Sequence, residues 1–483
     1  MIHLSPTDIV IILLYFGGVL FVGYRSARRT GSSEEDFLLA GRSLTLPIFV
    51  MTLVSTWYGG ILGVGEFSYR YGISNWVVQG VPYYIFAAIF AFILAKKIRA
   101  TNLFSIPDKL AAAYDRKTAV LGSILTFILM TPAPYILMLS VFLQMLFGWS
   151  LVISLTVTAI VAVSYLFAGG FRADVETDVF EFFLMFIGFA VILPYCSSRF
   201  GGWEYLQSHL PPLHLTWHGG NSMQYILVWF FIALWTLVDP AFHQRCYAAK
   251  SGKVAQRGIL ISIFFWLLFD FMTATAGLYA RASLPELREP MMAYPMLAEE
   301  VLPPVAKGLF YVGMLATIMS TLNTLAFVSA QTLGRDILLR MGIGGGKVLS
   351  DEAQPLQDPA SRGIQQPSNL STRYTQLGLI LAFLVSIVIA VAIPSVVRIW
   401  YTIGTVIIPG LLVPLMASYF EPLKIPARFA FSAMAGGWLT SLAWMIAGLA
   451  SASGAYPLGI EPMYPGLIVS IGLWAAGKVG DSS

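Results

Sequence analysis

The sequence predicts an all-α polytopic membrane protein with about thirteen transmembrane helices. Three observations carry this. Of 483 residues, 57% are hydrophobic and only 11% charged, where a soluble domain carries roughly 25% charged residues. The apolar residues fall in runs long enough to cross a bilayer, which takes about 20 residues of helix. These runs are continuous and not short alternating segments, so helices rather than barrel strands are the spanning element.

Taken in order, the first run covers roughly 8–24, after an uncharged start and before Arg25, Arg28 and Arg29; lacking a basic leader, it is a retained span. The second, 45–69, reads TLVSTWYGGILGVGEF, with the poor helix formers Gly59 and Gly60 in mid-membrane. The third to fifth cover 74–95, 118–147 and 150–168, and the sixth, 178–196, opens on Asp178. The seventh, 222–241, runs into WFFIALWTLVDPAFHQR, where Pro240 removes a backbone donor and disfavours a helical Asp239. The eighth, 258–280, carries Asp270, the ninth, 308–333, carries ATIMSTLNTLAF, and the last four cover 375–394, 397–419, 428–450 and 462–477. Between the ninth and tenth, 341–376 is rich in Gly, Pro and Gln and reads as a mobile inner loop. Asn369, in an Asn-Leu-Ser triplet there, fits the glycosylation pattern by accident.

Charge in the connections sets the orientation. With the N-terminus outside, the inner loops hold Arg25, Lys96, Lys97, Arg99, Arg116, Lys117, Arg245, Lys250, Arg335 and Arg340, among the large majority of the 29 Lys and Arg, and the C-terminus falls inside. His243 and Arg245 are expected in a solvated turn at that inner boundary. Cys196 and Cys246 fall on opposite sides of the membrane, which argues against a disulfide or a shared metal. The net charge of +4 follows from the loop bias and gives no reason for a nucleic-acid partner. No GxxxxGK[ST] motif supports pumping driven by ATP, and no nucleophile, base and orienting group form an enzyme motif. The chain is expected in the cell membrane (cytoplasmic or inner, if bacterial), in contact with lipid and without a separate soluble domain.

Two features call for a physical reason. Unwound backbone at mid-membrane depth is tolerated only where protein or a water-filled cavity satisfies it. Broken helices in corresponding halves point to a binding site in secondary transporters; close packing for the glycines and a plain helix stop at Pro240 are the other readings. In the ninth span, Thr317, Ser320, Thr321 and Thr324 fall on one helical stripe with Asn323 at its edge. Such hydroxyls bond back to a carbonyl one turn earlier, pack as small residues, or face a ligand.

The runs DFLLAGRSL from Asp36, GGFRADVETD from Gly169, HQRCYAAKS from His243, and LPPVAKGL followed by IMST, in this order relative to the spans, resemble the sodium:solute symporter family over roughly 36–336. The resemblance implies a leucine-transporter-like core of ten helices in two inverted five-helix repeats. These would be 45–196 (spans two to six) and 197–419 (spans seven to eleven, with the loop 341–376). One extra helix in 1–44 precedes them and two in 420–483 follow.

The resemblance further implies sodium-coupled symport of a small organic solute by alternating access, with sodium as the only metal. The implied sodium ligands are the hydroxyls of Ser320 and Thr321 and the main-chain carbonyls of Thr317, Ser55 and Tyr58; hard oxygens suit such an ion. Asp178, with Ser320, Asn323 and Thr324, would mark the inner ion path or a second sodium site, although capping its own helix is an alternative role. Trp57, Tyr58, Gly59 and Gly60 at the first break, Trp235 and Thr236 at the second, and Glu66 above them would face the solute cavity. Some proline-transporting relatives have an aspartate where this chain has Trp57, which argues against proline. Two other functions suit the same chain: a proton-coupled transporter using Asp178 or Asp270, and a solute sensor. A sensor ending at Ser483, soon after the last span, would need a separate output partner.

Overall fold

The computed structural model describes residues 2–31, 33–342, 369–393, 396–451 and 455–481. Among them, ten helices are long and apolar enough to cross a membrane, or eleven if the bent pair Leu46–Trp57 and Ile61–Tyr71 is one span. Helix α1 (Pro6–Ala27) starts at Ser5, whose hydroxyl accepts from the Asp8 amide while the Asp8 carboxylate accepts from the Ser5 amide. Pro6 fills the first turn, where its missing N–H costs nothing. Helices α2 (Leu46–Trp57) and α3 (Ile61–Tyr71) are the halves of the second span, bent by 60°. The third span contains α4 (Val81–Ile93), and α5 (Ile106–Ala113) lies in the connection that follows. The fourth span is divided into α6 (Arg116–Leu129) and α7 (Ala133–Phe147), parted beside Pro132.

Helix α8 (Leu151–Phe200) contains both the fifth and the sixth spans. It turns at Gly170, at φ 55 and ψ −145, where a Cβ would lie 2.5 Å from the Phe37 carbonyl oxygen. Asp178 therefore lies about two turns past this hinge, and not at a helix start. Its capping role is ruled out, because the preceding residues already supply helical backbone.

The seventh span is α9 (Met223–Ile232), the single turn Trp235–Val238, and α10 (Pro240–Ala248). The rest follow as α11 (Gly252–Ser283), α12 (Ala306–Gln331), α13 (Asn369–Ala392), α14 (Val396–Ser418), α15 (Ala427–Ala450) and α16 (Met463–Asp481). Every run read from the sequence has a helical counterpart. Of the expected inner loop, 343–368 lie outside the described residues. Residues 369–376, assigned to that loop, are instead the first turns of α13. Small Ser371 and Thr375 are buried there, as α13 packs on the helical extension Thr332–Leu339.

Helix α12 occupies the centre. Nearly all of its residues are buried, chiefly against α8 and α13, whereas α1 and α15 at the rim bury only a minor part of theirs. Exposed Leu14, Phe21, Ile446 and Leu449 on the rim helices are suited to lipid. Polar side chains in a membrane protein belong in the bundle interior, and α12 carries a dense run of them, Thr317, Ser320, Thr321, Asn323 and Thr324. Two of the motif segments also meet: the Leu44 amide donates to the Ala248 carbonyl at 3.2 Å, and the Lys250 amide to the Leu44 carbonyl at 2.9 Å.

Candidate functional site

At the first break, α3 starts at Gly60 without a side-chain cap. The bend deprives the last carbonyls of α2 of the amides that a straight helix would supply. Helix α12 crosses here, and the Thr321 hydroxyl lies 2.5 Å from the Thr56 carbonyl and 3.2 Å from the Thr317 carbonyl. Such an approach requires Gly59, since a Cβ there would sit 2.3 Å from Thr321 Cβ. On Gly60 it would sit 2.3 Å from Trp400 Cη2 of α14.

Ser320 donates to Asp178 Oδ1 at 2.6 Å. The Thr317 hydroxyl bonds back to Met314 at 2.7 Å, the Ser55 hydroxyl turns to Thr52 at 3.4 Å, and the Tyr58 hydroxyl donates to the Trp266 carbonyl at 2.8 Å. These side chains are thus engaged away from the crossing, and any contact the three residues make there is through their main-chain oxygens, of which that of Thr317 already accepts from the Thr321 hydroxyl.

The second break is satisfied from within its own segment. Asp239, at φ −67 and ψ 113, accepts from the Ala241 amide at 2.7 Å and the Phe242 amide at 3.3 Å. One turn later, His243 Nε2 donates to the Leu237 carbonyl at 3.2 Å. The expectation of a solvated turn at His243 and Arg245 is wrong. Every residue of α10 is buried, because Pro240 redirects this half-helix into the bundle.

Arg245 reaches across to three other helices. Its Nη2 lies 2.9 Å from Asp178 Oδ2, 2.9 Å from Thr52 Oγ1, 2.5 Å from Thr56 Oγ1 and 3.0 Å from Thr324 Oγ1. Asp174 stands one turn from Asp178 and accepts from Thr324 at 2.9 Å, while Glu181 accepts from the Tyr15 hydroxyl at 2.8 Å. All three carboxylates and Asn323 are fully buried. The i, i+4, i+7 spacing of Asp174, Asp178 and Glu181 is that of one helix face, a signal that could have found Asp174 and Glu181, which the sequence expectations omit. Thr52 and Thr56 gave no signal of their own.

A cavity of about 340 Å3 lies between the breaks. Trp57, Tyr58 and Gly60 line it from the first break, Trp235 and Asp239 from the second, and Thr321 from α12. Glu66 also reaches it, paired with Arg70 at 3.0 Å. Gly59 and Thr236, expected on the wall, do not line it. Gly59 faces Thr321 and Tyr135, and Thr236 is fully buried in a turn whose Trp235 takes the wall position. Asp270 lines the cavity and accepts from the Tyr84 hydroxyl.

The cavity wall extends to Glu66, Arg70, Tyr71 and Tyr225, toward the end that the sequence assigns to the outside. At the other end ion pairs tie the helices together. Arg335 meets Glu34 at 2.8 Å, Asp108 at 3.0 Å and Asp336 at 2.7 Å, and Arg340 meets Asp108 at 2.6 Å. Burial pushes the Asp108 carboxyl up, but Arg335 and Arg340 more than reverse this and hold it below its ordinary value.

Two broken spans around a cavity, with a central helix carrying buried oxygens to one of them, define a secondary active transporter. The sequence profile of the Sodium:solute symporter family matches residues 37–342, more than half of the chain, and the chain belongs to that family. A sodium/pantothenate symporter of Haemophilus influenzae is 28% identical over 349 residues, covering 68% of this chain and 71% of that protein. The sodium/pantothenate symporter of Escherichia coli is 28% identical, over 65% and 68%. Sodium/proline symporter 2 of Staphylococcus saprophyticus is 23% identical, over 69% of each.

Among solved structures, the fold is similar to a substrate-bound, outward-open sodium-coupled sialic acid symporter, with a TM-score of 0.75 at 16% identity over 98% of this chain and 97% of that one. It is also similar to a nucleobase-cation-symport-1 family transporter in a closed conformation, with a TM-score of 0.56 at 12% identity over 89% and 92%. The protein is a multi-pass transporter of the cell membrane that carries out sodium-coupled solute symport. Alternating access between inverted repeats fits this leucine-transporter-like fold, and the family is one of transporters and not of enzymes.

Proposed function

We propose that the coupling sodium binds where α12 crosses the first break. The hydroxyls of Ser320 and Thr321 and the main-chain carbonyls of Thr317, Ser55 and Tyr58 would hold it. The observation that carries this reading is the Thr321 hydroxyl at 2.5 Å from the Thr56 carbonyl, which brings α12 oxygens against backbone freed by the bend. Uncharged hard oxygens suit an ion that must bind and leave in every cycle. Asp178, Asn323 and Thr324 then mark its route toward the cytoplasmic end.

In this reading the N-terminus is outside and the C-terminus inside, and 45–196 and 197–419 are the two repeats. The cavity faces outward, while the Arg335 and Arg340 ion pairs hold the inner end shut. Sodium ties α2 to α12 and shapes the wall at Trp57, Tyr58 and Gly60 for the solute; closure, inner opening and release past Asp178 follow. A sodium ion crossing 100 mV supplies roughly 2.3 kcal/mol, and a tenfold gradient adds about 1.4 kcal/mol.

The solute is a small organic carboxylate with an apolar body. Pantothenate and proline, for which the relatives are named, both carry a carboxylate. Here Arg70, paired with Glu66, is the basic side chain on a wall rich in Trp and Tyr that also holds Asp239 and Asp270, and a solute carboxylate would compete with Glu66 for it.

The sodium site can be tested without the solute. The melting temperature of the purified protein is measured in sodium against potassium and choline at fixed ionic strength. Sodium raises it in the parent, and Ser320→Ala with Thr321→Ala abolishes the rise. No sodium-specific rise in the parent at millimolar concentrations would overturn the site. Uptake of labelled carboxylates, pantothenate first, under a sodium gradient then tests the solute.

A further inference from the structure

Arg245 Nη2 carries two N–H groups, yet four oxygens stand within 3.0 Å of it: Thr52 Oγ1, Thr56 Oγ1, Thr324 Oγ1 and Asp178 Oδ2. The three hydroxyls have other acceptors for their own protons. Thr52 donates to Asp178, Thr56 to the Thr52 carbonyl at 2.8 Å, and Thr324 to Asp174 at 2.9 Å. Their lone pairs are left pointing at the arginine nitrogen. Three hydroxyl oxygens and a carboxylate converging on one point form a shell for a compact cation, with more acceptors than a guanidinium nitrogen can serve. The shell draws on α2, α8 and α12, and every member is buried.

We propose that Arg245 is a tethered cation filling a second monovalent-cation site made by Thr52, Thr56, Asp178 and Thr324, so that the transporter takes up one sodium per cycle. The inference rests on the proposed sodium site and adds its stoichiometry. Asp178 joins the two: Oδ2 faces Arg245, while Oδ1 accepts from Ser320. Arg245 thereby acts as a positioning residue for Ser320 as well as the occupant of the second site. It enters from α10, the inner half of the second break, and so links the two broken spans.

Equilibrium binding of radiolabelled sodium to the purified full-length protein tests this directly. The parent saturates at one ion per chain, Arg245→Ala at two, and Arg245→Lys, which restores a tethered cation, at one. Free guanidinium added to Arg245→Ala displaces the second ion and leaves the first, a rescue that a merely structural role would not produce. Should Arg245→Ala fail to fold, Arg245→Gln, uncharged but able to hydrogen-bond, carries the same expectation of two. A parent that binds two ions, or a folded, uncharged variant that binds one, would overturn the proposal while leaving the Ser320 and Thr321 site standing. A parent that binds none would overturn both.

Discussion

The two broken spans solve the same backbone problem in opposite ways. The second supplies its own partners: Asp239 takes two amides, and His243, one turn on, covers a carbonyl. The first has no capping side chain at Gly60, and help comes from outside the segment, through Thr321 of α12 at the Thr56 carbonyl. A break completed from within can stay fixed through a transport cycle. One completed by another helix, with oxygens to spare, can be completed further by an ion, and its geometry then depends on whether that ion is present.

Adding a methyl group at Gly59 should break this difference most severely. The Cβ of Gly59→Ala would lie 2.3 Å from Thr321 Cβ and 2.6 Å from Tyr135 Cε1, so α12 must move away from the break. Overpacking of this kind costs about 1–3 kcal/mol. The expected result is a lower melting temperature in potassium together with loss of the sodium-induced rise. A variant that still melted higher in sodium, with the parent's sodium dependence, would show that the ion does not need this crossing.

The next largest effect falls on the other break, and lowers stability without touching sodium affinity. Asp239→Ala removes the acceptor for two amides, and loss of a cap costs about 0.5–2 kcal/mol. The melting temperature should fall in sodium and potassium alike, while the half-saturating sodium concentration is retained. Should sodium affinity collapse as it does in Gly59→Ala, the second break would also belong to the ion site, and the contrast between the two would be lost.

What could be read from the sequence follows from the range of each interaction. The spans and both breaks depend on local signals, apolar length and Gly or Pro; each run has its helix and both breaks stand where the sequence placed them, although the helices of the sixth and tenth runs begin earlier than apolar length alone suggested. The hydroxyl stripe of α12 was legible as a stripe, but the direction of each hydroxyl was not. Thr317 and Ser320 are three residues apart on one face, yet Thr317 bonds back to Met314 while Ser320 turns to Asp178, because a carboxylate from α8 stands opposite only one of them. Arg245 shows the limit most sharply. Charge counting placed it with the inner loops, whereas its burial depends on Thr52, Asp178 and Thr324, all remote from it in the sequence.

The smallest effect on sodium should come from Gly60, adjacent to Gly59 but facing the solute cavity instead of α12. A Cβ on Gly60 meets the outer edge of the Trp400 indole, and Trp400 lines the cavity beside Tyr135. Gly60→Ala should therefore push Trp400 aside, change the shape of the solute pocket and leave the contact between Thr321 and Thr56 in place. In uptake assays KM for the solute should rise severalfold, while the sodium-induced gain in melting temperature keeps its size. Were Gly60→Ala to abolish that gain as Gly59→Ala does, the two faces of the break could not be separated, and sodium and solute would share one pocket instead of two adjoining ones.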